Sequence, residues 1–104
     1  MKRKYILAIL GLGFSAVVSA DQGVMFKVVL LNDDYTTMEF VVHVLQQVFG
    51  KPAPEAYRIM MQVHLQGKGI CGAYTFEIAE TKVEAVHALA QDHGFPLRAE
   101  IEEA

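Results

Sequence analysis

The apolar pattern of this chain starts at Phe26. From there Phe26-Lys27-Val28-Val29-Leu30-Leu31 is almost continuously hydrophobic, and it stops at Asn32-Asp33-Asp34. A short apolar run bounded by turn formers predicts a central β-strand. In Thr36-Thr37-Met38-Glu39 the spacing fits a capping box, with the Thr36 hydroxyl accepting from the Glu39 amide. Val41, Val44, Leu45 and Val48 then recur at helical spacing until Gly50. The prolines of Lys51-Pro52-Ala53-Pro54 suit the first turn of a second helix. Its inward face is Ala56, Ile59, Met60 and Val63, and Gly67 ends it. Gly69 to Ile78 alternates, with Ile70, Gly72, Tyr74, Phe76 and Ile78 on one face, and predicts a second strand. Gly69 and Gly72 within it mark a tight start or a bulge. Thr81 and Glu84 form a second capping box, opening a third helix through Val83, Val86 and Leu89 to Gly94. Pro96 blocks its continuation, and Leu97 to Glu102 completes the series as a short strand.

The order β-α-α-β-α-β predicts an α+β fold, a small three-stranded antiparallel sheet packed against three helices. Residues 24–104 supply one core and no linker, as expected of a 104-residue chain in which 53% of residues are hydrophobic. The single cysteine, Cys71, allows no internal disulfide and no multi-cysteine metal cage. Its apolar setting makes it a small core residue.

Residues 1–20 follow another rule. A basic start (Lys2, Arg3, Lys4), an apolar stretch from Tyr5 to about Phe14 and the small-residue tail Val18-Ser19-Ala20 have the layout of a secretory signal peptide cleaved after Ala20. The bland alternative is a hydrophobic N-terminal extension. The apolar part is short and glycine-interrupted for a membrane span, so no stable membrane association is expected once it is removed. Setting the three basic residues aside leaves six Lys and Arg against twelve Asp and Glu, a formal charge of −6. So acidic a domain is a poor partner for phosphate backbones, and nucleic acid is not expected to bind.

Candidate chemistry gathers around residues 32–38. Asn32, Asp33 and Asp34 read as a turn at a helix mouth, where acidic groups are favoured. Met38 beside them turns the same place into a polar rim with an apolar floor, suited to an amphipathic guest. His64, near the end of the second helix, is a further acceptor; His43, His87 and His93 read as surface or packing residues. Asp33, Asp34 and His64 could also form a carboxylate-histidine metal site, but no HxxxH or HxxE spacing supports it. No GxSxG is present and Cys71 has no evident base, so neither catalysis nor a cofactor is expected.

Three stretches, VVLLNDDYTTMEFVVHVL, MMQVHLQGKGICGAYTFEIAETKVE and HGFPLRAEIEEA, in this order resemble the ClpS family from about Phe26 to the C-terminus without a gap. The resemblance implies a non-enzymatic adaptor that delivers N-degron proteins to the ClpAP protease. Clients of that family expose a free N-terminus beginning with Leu, Phe, Tyr or Trp. It implies that Asn32, Asp33 and His64 hold the client's α-ammonium. Thr36, Met38, Val41, Met60, Val63 and Leu97 are implied as the side-chain pocket, with Met38 as a gatekeeper against β-branched first residues. Glu77 and Lys82 match positions that touch the N-terminal domain of the ClpA-type unfoldase. Two further readings stand beside it: an exported peptide-binding module uncoupled from Clp, and a small carboxylate-histidine metalloenzyme. The resemblance places the chain in the cytoplasm, whereas residues 1–20 point to the periplasm, and they occupy the place of the family's flexible polar arm.

Overall fold

The computed structural model describes residues 24–104; the signal-like segment expected over residues 1–20 lies outside them. The elements are β1 (Phe26–Leu31), α1 (Met38–Gln47), α2 (Ala53–Gln66), β2 (Lys68–Tyr74), α3 (Phe76–Asp92) and β3 (Arg98–Glu103). The strands form one antiparallel sheet in the order β2-β1-β3. This is the expected α+β arrangement in the expected order. β1 is the most apolar strand and takes the centre, because only a central strand is shielded along both edges.

Val28 and Leu30 of β1, Cys71 of β2 and Ala99 of β3 face the helices. They pack against Phe40, Val41, Val44 and Leu45 of α1, Ala56, Ile59, Met60 and Val63 of α2, and Ala79, Val86 and Ala90 of α3. Every inward residue expected of α2 is therefore in place. Burial pushes the Cys71 thiol up to about 12, against weaker opposing effects of Lys51 and a backbone hydrogen bond at Leu30, as suits an inert core side chain. On the other sheet face, Lys68 Nζ donates to Glu102 Oε2 at 2.6 Å. The register sets Lys68 beside Leu31 and Glu102 beside Lys27, so the bridge crosses β1 at the level of Val29.

Three expectations need correction. The N-cap of α1 is Thr37, not Thr36: Thr37 Oγ1 accepts from the Phe40 amide at 3.1 Å. Thr36 belongs instead to the preceding turn, where its amide and hydroxyl both donate to the Asp33 carboxylate. The strand expected over Gly69–Ile78 ends at Tyr74, and α3 starts at Phe76 behind an extended Thr75. Alternation at Tyr74, Phe76 and Ile78 imitates a strand, but Ile78 is exposed while Ala79, Val86 and Ala90 are buried at helical spacing. Thr81 is thus interior to α3, its hydroxyl donating to the Glu77 carbonyl at 3.1 Å. Phe76, from the first turn, meets Phe26 edge-on at 5.2 Å.

Finally, Ile70 points outward and is 45% exposed. The register shifts between Val28 and Val29, which pair with Gly72 and Ile70, so Cys71 is the extra residue of a β-bulge. Gly69 and Cys71 therefore face in before the shift, and Tyr74 faces in after it.

Candidate functional site

The end of β1, the start of α1 and the end of α2 meet at one place. The Asn32 amide donates to the Gly67 carbonyl at 2.9 Å, tying the residue after β1 to the one that closes α2. Gly67 sits at φ +91°, in the left-handed region, and its amide closes α2 on the Val63 carbonyl at 3.0 Å. His64 is one turn earlier on the same helix. The strand-to-helix turn and the helix terminus thus bring Asn32 and His64 to one rim, though they stand 32 positions apart in the sequence.

Between them lies a hollow of about 260 Å³. Its polar lining is Asn32, Asp33, Asp34 and His64; its apolar side is Met38, Val41, Met60 and Val63, with Thr36 at the junction. That volume falls below the roughly 300–1,000 Å³ of drug-sized pockets, so it suits the end of a single amino acid. Val41, Met60 and Val63 are core residues of α1 and α2, which makes the floor rigid. Met38, in the first turn of α1, is 44% exposed and forms an open lip.

Asp33 builds the turn. Its Oδ1 accepts from the Tyr35 amide at 2.8 Å and the Thr36 amide at 2.7 Å, and its Oδ2 accepts from the Thr36 hydroxyl at 2.7 Å. Burial pushes the carboxyl up, but the Thr36 hydroxyl and the Thr36 and Tyr35 amides outweigh it and hold the group below its ordinary value of 3.8. A carboxylate has about four acceptor sites. Three are in use, which leaves Oδ2 able to take one more donor. The Asn32 side chain and the His64 imidazole make no hydrogen bond among the described residues, so both are available to a guest.

Eight of the nine residues expected to bind an amine and a side chain line this hollow. Leu97 is different: it is 3% exposed in the core and does not line it. Asp34, read from sequence as a turn residue or metal ligand, does line it; its signal was the doubled carboxylate at the helix mouth. No group of three metal-ligating side chains converges among the described residues, so Asp33, Asp34 and His64 do not form a ligand set. Glu77 and Lys82 lie elsewhere, on α3. Glu77 is exposed in the first turn. Lys82 donates to the Val48 carbonyl at 2.8 Å and lies over the Phe49 and Tyr74 rings at 6.0 and 5.7 Å, tying α3 to the end of α1.

Comparison with known proteins points to one family. A family model described as ATP-dependent Clp protease adaptor protein ClpS matches residues 21–100. The chain is 64% identical over 78 residues to an ATP-dependent Clp protease adapter protein ClpS of Desulfatibacillum aliphaticivorans, covering 75% of each chain. A protein of the same name from Wolinella succinogenes is 55% identical over 78 residues, covering 75% of this chain and 76% of its own. Among solved structures, Agrobacterium tumefaciens ClpS2 bound to L-phenylalaninamide matches with a TM-score of 0.75 at 40% identity. That match covers 78% of this chain and 98% of the other. Among the described residues, no helix is long and apolar enough to cross a membrane.

Proposed function

The chain belongs to the ClpS family of ATP-dependent Clp protease adaptors, and from that premise we propose that its hollow captures the free α-amino group and bulky first side chain of N-degron proteins. The observation that carries this reading is the joining of unpaired polar groups to an apolar floor in a hollow the size of one residue. L-phenylalaninamide, the ligand of the ClpS2 structure, has the two matching features, a free α-amine and a phenyl group.

The division of labour follows from the donor count. An α-ammonium brings three N–H donors and a positive charge, and burying it needs acceptors, at least one of them ionised. The Asn32 side-chain carbonyl, the remaining lone pair of Asp33 Oδ2 and a ring nitrogen of His64 are three acceptors. Charge-assisted bonding of this kind contributes about 1.5–3 kcal/mol net. Burial of a Leu, Phe, Tyr or Trp side chain against Thr36, Met38, Val41, Met60 and Val63 adds a similar amount, about 1.5–3 kcal/mol for the apolar ones. Neither contribution gives useful affinity alone, so recognition requires both ends of the residue together. An internal residue offers no ammonium and leaves the acceptors without partners.

The adaptor then passes the client to a Clp unfoldase of the ClpA type, and Glu77 and Lys82 on α3 supply the surface for the unfoldase's N-terminal domain. Both stand away from the hollow, so client and unfoldase can be held at once. A copy exported and uncoupled from Clp would begin at Asp21, and N-terminal sequencing of the mature protein reads this directly.

Titration with short peptides beginning in Leu or Phe tests the proposal. Acetylating the peptide's amine should weaken binding at least tenfold; equal affinity for the free and acetylated forms would remove the mechanism. On this reading Met38, at the lip of the hollow, is the gatekeeper that crowds a β-branched first residue. Met38→Ala should therefore admit peptides beginning with Ile or Val, measured as a smaller affinity gap between Ile- and Leu-initial peptides.

A further inference from the structure

We propose that Met38 is a reversible oxidation site through which peroxides weaken the hollow's grip on bulky apolar side chains. The inference rests on the reading above, that the hollow receives such a side chain. It starts from the unequal exposure of the methionines around the site. Met38 lines the hollow and is 44% exposed. Met60 lines it too but is 5% exposed and belongs to the core. Met61 is 40% exposed and does not line the hollow. Among the described residues, only Met38 is both open to a solvent oxidant and in the wall that a guest would touch.

The chemistry is an oxygen-atom transfer. The thioether lone pair attacks a hydroperoxide; a sulfur–oxygen bond forms, the peroxide O–O bond breaks, and water or an alcohol leaves. The sulfur loses two electrons and the peroxide gains them. The product sulfoxide is polar and a strong acceptor, and a bound apolar side chain would strip it of water without offering a donor. Met38 lies in the first turn of α1, outside the core cluster. Its oxidation therefore changes the lip and leaves the packing intact, which separates a switch from damage.

The test uses the full chain, hydrogen peroxide and a Phe-initial peptide. Mass spectrometry should find one added oxygen on the tryptic peptide carrying Met38, with none on Met60. Affinity for the peptide should fall about tenfold or more, the thermal midpoint should stay within a degree or two, and methionine sulfoxide reductases should restore binding. Met38→Leu, compared with its own untreated affinity, should be insensitive to peroxide, and Met61→Leu should remain as sensitive as the parent. The proposal is overturned if Met38 takes up oxygen with no loss of affinity, if Met38 resists while Met61 reacts, or if Met38→Leu loses affinity to the same degree. Failure of the underlying binding reading is distinct, since it shows in the untreated protein.

Discussion

Asp33→Ala is expected to lower both peptide affinity and fold stability, and Asp33→Asn tells the two apart. Affinity for a Leu- or Phe-initial peptide is expected to fall at least tenfold, because the substitution removes the only negative charge that is both in the turn and fixed by hydrogen bonds. Stability falls as well. The Thr36 amide and hydroxyl, both partly buried, lose their acceptor along with the exposed Tyr35 amide, a cost of about 1–3 kcal/mol. The Asp33 carboxyl is held below its ordinary 3.8 in the folded protein, so the unfolded chain takes up its proton first as pH drops. The contribution of its charge is fully present above about pH 3.8 and is lost as pH falls through the folded value. Urea denaturation at several pH values should show wild type and Asp33→Ala well separated near neutrality, with the gap narrowing, not closing, below 3.8, because a protonated Asp33 can still accept from the two amides. Asp33→Asn sharpens the comparison. An amide oxygen can still accept from the Tyr35 and Thr36 amides, so much of the stability should return, while the lost charge keeps peptide binding weak. If Asp33→Asn binds peptide as wild type does, the turn alone matters and the charge does not.

That duality explains how much of the site was legible in the sequence. Asn-Asp-Asp before a helix is both a turn signal and an acceptor cluster, and the structure shows Asp33 fully employed as the first with one lone pair left for the second. Local rules could place the turn and not the cap: the Glu39 spacing favours Thr36 as a capping box, but the Asp33 carboxylate holds Thr36 in the turn and Thr37 caps the helix. The core of α2 was readable because Ala56, Ile59, Met60 and Val63 keep helical spacing between a proline start and a glycine stop. β2 and the start of α3 were not, because Tyr74, Phe76 and Ile78 alternate over a junction whose true signal, Ala79, is too small to stand out. The bulge at Cys71 was suggested by its flanking glycine, but its consequence depends on pairing with β1, which no local window contains. Leu97 illustrates the same limit for the site. Being apolar and just before β3 does not distinguish a pocket wall from the core behind it.

Leu45→Ala is expected to cost about 2–5 kcal/mol of stability. Leu45 is fully buried from α1 into the cluster that joins all three helices to the sheet. Truncation removes about three methylene equivalents of burial and leaves a cavity that the close-packed core around it cannot fully refill. For a domain of this size each kcal/mol moves the thermal midpoint by about 4–8 °C, so calorimetry should record a drop of at least about 10 °C. The peptide hollow should respond differently. Leu45 does not line it, and the Asn32–Gly67 backbone bond and the Asp33 turn that shape its rim lie at the other end of α1. Well below the new midpoint, the folded Leu45→Ala protein should therefore bind a Phe-initial peptide within about twofold of wild type. A loss of affinity as large as that of Asp33→Ala would mean that the hollow owes its shape to the whole core, and not to the junction of β1, α1 and α2.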